Sequence, residues 1–495
     1  ASGESFTVDD AILASFVPGS GEVLVSASAS PIDPVVLSQS LLSYPYQCTE
    51  QLVSAAIPLL TKENRTTSEE RRLREAISTL LERQSADGAF GLWRVGDRQA
   101  SPWLGAYTAD FLTAAKADGL PVPEASLRRA YQALQPVAQG EIGRAYGYDT
   151  RLAPPAYTSD TEKWLKERSS AYALYVLTKG EAVDRSRLRY MHDAQLGSID
   201  NPLALGQIGA ALAAIGDNGR AQSAFEKASR QLGYTNEGDW YQTPRRDTAG
   251  LALYLQESGR TEAAADLLQD LSNDLPEPSA LSTQEKAFLV RATRSFGPDE
   301  ARVSYRGEEV QAALLTDTED LKEPFTNAES RTVFVTTAAE GLPNSVPPPA
   351  SARLSVEKAI RLADGGLVDL DTVEQGDRLL VVITLDPERV ARSQYVVNDF
   401  LPAGLEIETV LGPEDGAPEG VYRQIGELAE LDLAEARDDR FVASAILQGG
   451  EPITLAYIAR AVTPGRFILP GVYAEDMYRE DVFARSAAGD IEIAP

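Results

Sequence analysis

Between about residue 35 and residue 298 the chain reads as one helix after another, and on both sides of that run its apolar residues alternate with period two. The segment "SEERRLREAISTLLERQ" sets the pattern: Ser68 is placed to cap the start, and Leu73, Ile77, Leu80 and Leu81 share a face. "WLGAYTADFLTAAKADG", "SLRRAYQALQPVAQG", "SSAYALYVLTKG", "PLALGQIGAALAAIGD", "GRAQSAFEKASRQLG", "RDTAGLALYLQESG", "TEAAADLLQDLSND" and "STQEKAFLVRATRSF" continue it, and many end in Gly or Asp-Gly, the usual left-handed helix stop. Loops are short, and Ala, Gly and Ser recur at contact positions. Paired antiparallel helices in a ring or a solenoid satisfy this pattern, and periodicity alone does not separate the two.

The flanks read as strands. Gly21 to Ser30 alternates Val23, Val25 and Ala27 against polar neighbours. After the helices come "RTVFVTTAAEG", the Pro-rich linker "LPNSVPPPA", and then "ARLSVEKAIRL", "DRLLVVITLD", "RFVASAIL", "ITLAYIARAV" and "GRFILPGVY". Such strands, bounded by Gly and Pro turns, indicate a β-sandwich. The order is explained by a helical domain inserted into a small β-domain, with strand 21–28 pairing to strands near 302–340. A chain of 495 residues is too long for one ordinary core. The expected organisation is 1–32 and 300–345 for the β-domain, 33–299 for the helical domain, and 346–495 for the sandwich.

Composition narrows the chemistry. The net charge is −28, which repels phosphate backbones and anionic lipid, so no nucleic-acid partner is expected. The single cysteine, Cys48, excludes an intrachain disulfide, and with the single histidine, His192, it excludes a Cys/His zinc cluster. No EF-hand spacing is present, and neither metal nor cofactor is expected. No run of about 18 apolar residues occurs. The chain begins at Ala1 without a signal peptide or lipidation signal, as expected of a processed protein or a fragment.

Cys48 and Gln51 stand three apart in "YPYQCTEQLVSAAIPLL", and the apolar run after them has helical spacing. Residues at i and i+3 share a face, with Cβ atoms about 5–6 Å apart. A thiol so placed can attack the glutaminyl carboxamide, expel ammonia and leave a thiolactone. Tyr44-Pro45-Tyr46 disfavours helix, which puts Cys48 at or before a helix start, where backbone N–H groups and the positive dipole end favour a thiolate. A stored thioester needs shelter from water, and Tyr44, Tyr46, Trp93 and Trp103 are candidate walls. On spacing alone, a buried small hydrophobe is the favoured reading of Cys48.

The wider string changes that balance. "YPYQCTEQ" resembles the thioester motif of the alpha-2-macroglobulin and complement family, which reads Tyr-Pro-Tyr-Gly-Cys-Leu-Glu-Gln in bacterial members. Gln47 and Thr49 depart from it, while Cys48, Glu50 and Gln51 are kept. "RQSADGAFGLW", "SPWLGAYTADFL" and "LSTQEKAFLVRA" resemble further signatures of the thioester domain, in order. "VVNDFLPAGLEIE" and the stretch from "EPITLAYIARAV" to "MYREDVFARSAAG" resemble the last macroglobulin domain. The resemblance covers nearly the whole chain.

It implies a fold: an α/α toroid thioester domain inserted in a CUB-like β-domain and followed by a C-terminal macroglobulin-like β-sandwich. It implies a non-enzymatic, broad-spectrum protease inhibitor. In such proteins cleavage of a bait region exposes a Cys–Gln thioester, and a lysine amine of the attacking protease takes the acyl group. The shielding residues it implies are Tyr44 and, in "EDMYRE", Met477 and Tyr478, with Trp103 and Tyr46 beside them. It also implies a monomer with a periplasmic address, a lipid anchor in the full-length protein, and a penicillin-binding protein that builds peptidoglycan as a partner in some members. No bait segment or upstream sandwich string is visible, so the chain is expected to be the C-terminal part of a longer protein.

Other readings make different demands. A thiol hydrolase needs His192 within hydrogen-bond reach of Cys48, 144 residues earlier. A cyclase-like α/α toroid needs an Asp-rich motif lining the ring, and none is visible. A non-covalent periplasmic scaffold or adhesion module needs only that the thioester be inactive or hydrolysed. Glu50 reads as a helix-start carboxylate, and Asp87-Gly88 as a structural turn.

Overall fold

Helices in this chain begin where a side-chain acceptor precedes an apolar run. In the computed structural model, Asp33 caps α1 (Pro34–Leu42), Cys48 caps α2 (Thr49–Leu60), Thr66 caps α3 (Thr67–Glu82) and Ser101 caps α4 (Pro102–Ala117). The start of α3 corrects the expected cap at Ser68. Thr66 is preferred because Glu69 lies three residues on and closes a capping box with it, whereas Ser68 has Arg71 at that distance. The series continues with α5 (Glu124–Ala138), α6 (Ser159–Lys179), α7 (Arg185–Tyr190), α8 (Pro202–Ala214), α9 (Asn218–Arg230), α10 (Pro244–Glu257), α11 (Thr261–Ser272) and α12 (Thr283–Arg294). The structure describes residues 3–495 except 9–13, 15, 63, 98–100, 143–158, 237–238, 240, 298–300, 312, 318–320, 322, 389–392, 419, 448–450 and 480. It divides into two compact units, 1–342 and 343–495.

Two burial patterns sort the helices of the first unit. α4 is buried at every position from Pro102 to Leu112, α8 from Pro202 to Leu212, and α12 from Thr283 to Val290. α3 buries one stripe, Leu73, Ala76, Ile77 and Leu80, and α9 another, Ala221, Ala224, Phe225 and Ala228. The first kind is an interior helix and the second a cover. α2 packs on α4, α4 on α6, α6 on α8, α8 on α10 and α10 on α12, and α12 returns to α2.

The strands of this unit come from both sides of the helical run. β1 (Ser5–Phe6) and β2 (Glu22–Ser28) precede it; β3 (Arg302–Tyr305), β4 (Glu308–Gln311), β5 (Ala313–Asp317), β6 (Phe325–Asn327) and β7 (Phe334–Glu340) follow. β2 lies between β5 and β7, antiparallel to both, with Val25 opposite Leu314 and Thr337. A strand before the insertion thus takes its partners from beyond it. A second sheet has the order β1-β6-β3-β4. Val23, Val25, Ala27, Val303, Tyr305 and Phe325 form their core.

The second unit is all β apart from short helical turns among the described residues. One sheet has the order β13 (Leu405–Leu411), β16 (Ile453–Ala461), β11 (Arg378–Pro387), β9 (Leu354–Leu362). A second has the order β14 (Leu433–Ala436), β15 (Arg440–Leu447), β12 (Ser393–Phe400), β18 (Tyr473–Asp476), β19 (Phe483–Arg485), β8 (Ala350–Ala352), with a small third sheet of order β10 (Val373–Glu374), β20 (Gly489–Ala494), β17 (Gly465–Leu469). The first two sheets share a core that includes Leu379, Val381, Ile383, Tyr395, Val397, Phe441, Leu455 and Tyr457. Asp399 of β12 accepts from Lys358 of β9 at 2.7 Å and from the Tyr457 hydroxyl of β16 at 2.8 Å, so one buried carboxylate joins the two sheets.

Candidate functional site

Cys48 is the N-cap of α2 and is fully buried. Its φ and ψ, −62° and 164°, are those of an extended residue handing over to helix. Its Sγ accepts the Gln51 backbone N–H at 3.5 Å, and its own N–H donates to Gln51 Oε1 at 3.3 Å. The two residues thus close a capping box on each other. Gln51 Nε2 is buried and has no hydrogen-bond partner among the described residues. The amide therefore has its oxygen held and its nitrogen unheld, beside a thiol.

The electrostatics differ from the expectation. Burial pushes the Cys48 thiol up, and the nearby Glu50 carboxylate adds to this; the helix-start N–H groups and Arg83 pull the other way and lose. The helix start alone predicts a stabilised thiolate, but withdrawal from water is the larger effect.

Both residues between Cys48 and Gln51 are tied to other elements. Thr49 N–H donates to Leu92 O at 2.7 Å and its hydroxyl to Gly91 O at 2.6 Å; Arg83 donates to both Thr49 Oγ1 and Leu92 O. The accepting loop is the "DGAFGLW" segment. Asp97 holds it by accepting from the N–H groups of Leu92, Trp93 and Arg94. A Cβ on Gly91 would lie 1.7 Å from Arg94 O, and one on Gly88 (φ +95°) 2.1 Å from Arg129 O. Those two glycines permit the close approach.

Glu50 is fully buried and faces α12. It accepts from Ser54 Oγ at 2.7 Å, from Thr283 Oγ1 at 3.2 Å and from Gln284 Nε2 at 2.5 Å. Ser54 Oγ is in turn 2.9 Å from the Tyr107 hydroxyl of α4. Burial raises the Glu50 carboxyl, and those three donors offset this only in part. The sequence reading left Glu50, Ser54, Thr283, Gln284 and Tyr107 out of the site. A carboxylate at the start of an otherwise apolar helix was the available signal.

The aromatic candidates fall in separate places. Tyr44 and Tyr46 pack edge to face at 5.5 Å just before the Cys48 turn, Tyr46 buried and Tyr44 half-buried. Trp103 stacks on Tyr107 at 5.2 Å and on Tyr241 at 4.2 Å, with the Arg168 guanidinium 5.8 Å from its ring. It meets the Glu50 network through Tyr107. Met477 and Tyr478 are buried in the second unit, on the turn after β18. Glu480 of the same "EDMYRE" string lies outside the described residues. His192 Nδ1 is 2.8 Å from Asp193, and its Nε2 has no partner, so neither ring nitrogen is bonded to Cys48. This removes the contact that a Cys–His hydrolase needs.

Residues 354–481 match the bacterial alpha-2-macroglobulin MG10 domain. The second unit is thus of the macroglobulin class. The chain is 30% identical to the alpha-2-macroglobulin of Escherichia coli over 99% of its own length and 31% of that protein's. It is 27% identical to the alpha-2-macroglobulin of Xylella fastidiosa, over 95% of the chain and 30% of that protein. The crystal structure of native E. coli alpha-2-macroglobulin from domain MG7 to the C-terminus superposes with a TM-score of 0.82 at 26% identity, covering 100% of this chain and 80% of that one. Salmonella alpha-2-macroglobulin reacted with methylamine gives a TM-score of 0.84 at 29% identity, covering 100% and 33%. The chain belongs to the bacterial alpha-2-macroglobulins and corresponds to their C-terminal portion. It spans about a third of the length of the curated relatives it matches.

Proposed function

We propose that this chain is the reactive portion of a protease-trapping macroglobulin, in which Cys48 and Gln51 are joined as an internal thioester. The capping box carries the reading: it sets a thiol beside a carboxamide whose oxygen is held by a backbone N–H and whose nitrogen has no hydrogen-bond partner among the described residues. In bond formation the sulfur attacks the Gln51 carbonyl carbon, the C–N bond breaks, and the thiol proton leaves with the nitrogen as ammonia. In trapping, a lysine amine attacks the same carbon, the C–S bond breaks, and one amine proton returns to Cys48. The product is an isopeptide at residue 51 and a free thiol.

The closed order of interior helices supports an α/α toroid, and β2 with β3–β7 supports a CUB-like β-domain around it. Burial of the pair supports storage of the bond away from water, with Tyr44, Tyr46 and Trp103 as local shielding. Proteases are the proposed partners, cleavage of a bait region outside this chain the proposed trigger, and the periplasm the proposed compartment. The chain would act by being consumed, as an inhibitor and not as an enzyme. The methylamine-reacted Salmonella relative supports this chemistry.

The test is the intact mass of native protein with and without methylamine. A thioester places the untreated mass about 17 Da below the sequence value, and methylamine then adds at residue 51 and frees one thiol. Full sequence mass together with an alkylatable Cys48 in untreated protein rejects the proposal.

A further inference from the structure

We propose that Glu50 is the positioning residue of the thioester turn, and that Thr283 and Gln284 at the start of α12 are its receptor. The inference rests on the thioester reading above and adds to it a residue that touches neither reacting atom.

Successive residues of a helix are turned by about 100°. Pinning the side chain of the second helical residue therefore fixes the rotation of the whole first turn, and with it where the N-cap and the third residue face. Glu50 is that second residue, between Cys48 and Gln51. Its carboxylate crosses to a helix more than 230 residues later in the chain, where Thr283 and Gln284 receive it, while Ser54 supports it from within α2. Thr49, the other intervening residue, is held by the Gly91–Leu92 carbonyls. The turn is clamped from two sides by two different elements. That restraint keeps the Cys48 and Gln51 side chains in the reciprocal cap.

A merely favourable helix-start charge does not explain this arrangement. Such a carboxylate works from the surface, toward the first-turn N–H groups. Glu50 is wholly buried, and its donors are three neutral side chains. A buried carboxylate without a cation is a poor source of stability, and replacing such groups with apolar ones is often neutral. What it supplies is a directional, multi-point tie.

Gln284 Oε1 is buried and without a partner among the described residues. A flip of that amide would let residue 284 accept where it now donates. Glu50→Gln can therefore keep the tie, whereas Glu50→Ala cannot. Glu285 offers a control. It is also a buried first-turn carboxylate of α12, but it ties that helix to Thr243 of α10 and to Ser282 N, not to α2.

The experiment compares Glu50→Ala, Glu50→Gln and Glu285→Ala in the whole chain by intact mass, rate of methylamine uptake and thermal unfolding. For Glu50→Ala the fraction carrying the bond falls, and the bond that forms hydrolyses at least about tenfold faster. Glu50→Gln restores both to near the parent values. Glu285→Ala lowers the melting temperature and leaves both unchanged. If Glu50→Ala does not fold, Thr283→Val removes one donor at constant shape and shifts the same quantities in the same direction. Parent-like bond fraction and hydrolysis in Glu50→Ala, or equal effects from Glu285→Ala, overturn the proposal. If the parent chain itself has full mass and takes up no methylamine, the thioester reading fails, and Glu50 is then judged on the thiol. Alkylation of Cys48 at least about tenfold faster in Glu50→Ala than in the parent or Glu285→Ala upholds positioning, and equal rates overturn it.

Discussion

Gln51 turns its side-chain oxygen to the Cys48 N–H at 3.3 Å, while Cys48 Sγ takes the Gln51 N–H at 3.5 Å. The same two residues thus serve as helix cap and as proposed reacting pair, and the roles can be separated. Serine caps as well as any residue but cannot form the bond; alanine does neither. Cys48→Ser is expected to melt at or above the methylamine-treated parent and to take up no methylamine. Cys48→Ala is expected to lose about 1 kcal/mol relative to Cys48→Ser by urea unfolding. Equal stability of the two variants would show that the cap contributes nothing.

The loop under the turn depends on one carboxylate. Asp97 accepts from three consecutive N–H groups, at 3.1 Å from Leu92, 2.7 Å from Trp93 and 3.2 Å from Arg94. Removing it strands those donors beside the carbonyls that hold Thr49. Asp97→Ala is expected to cost about 2–3 kcal/mol in chemical unfolding, with Asp97→Asn losing less because one acceptor oxygen remains. An Asp97→Ala protein with the parent's unfolding midpoint would refute this.

Local pattern made α2 and its cap legible, because the Tyr44-Pro45-Tyr46 break and the apolar run that follows are adjacent in the chain. The pairing of β2 was legible for a different reason: a strand-patterned segment ahead of a helical run must find partners, and only the strands beyond the run were available. The cap of α3 was misplaced because Ser68 precedes the apolar stripe more closely than Thr66 does, and only the reciprocal bond with Glu69 decides between them. Glu50 reads in the sequence only as a helix-start carboxylate. Its receptor at Thr283 lies 233 residues away, and no spacing rule reports such a contact. Trp103 likewise drew attention as a large ring near the motif, while its stack with Tyr241 depends on packing between helices distant in sequence.

In the sandwich, Asp399 is buried and Lys358 half-buried, and each is the other's charge partner at 2.7 Å. Burial pushes the Asp399 carboxyl up, while Lys358 and the Tyr457 hydroxyl hold it down. Deleting one member leaves an uncompensated charge in the core. Asp399→Leu or Lys358→Met alone is expected to destabilise the second unit by about 3–5 kcal/mol. The double variant Lys358→Met/Asp399→Leu should lose less than the two single losses combined, because no lone charge remains. Scanning calorimetry of the four proteins measures this, and additive losses would show that the pair is not coupled.

The turn that carries Met477 and Tyr478 is built on Asp476, whose Oδ1 accepts from Ser393 Oγ at 2.8 Å and from Tyr478 N–H at 2.9 Å. Its other oxygen is 3.9 Å from the Arg479 guanidinium. Burial pushes the carboxyl up to about 6, and Arg479 and the hydrogen bonds only partly offset this. In the unfolded chain the same group loses its proton near its ordinary value, 3.8. Between those two values the folded protein binds more protons than the unfolded one, so this group's contribution to stability falls as pH rises. The contribution is complete below the lower value and lost above the upper one. Asp476→Asn carries no charge to bury, so its stability relative to the parent should rise by on the order of 2–3 kcal/mol between pH 4 and pH 7. Urea unfolding of both proteins across that range reads the difference directly. A difference that stays flat from pH 4 to pH 7 would mean that Asp476 ionises in the folded protein as it does in the unfolded chain, and that the turn is indifferent to its charge.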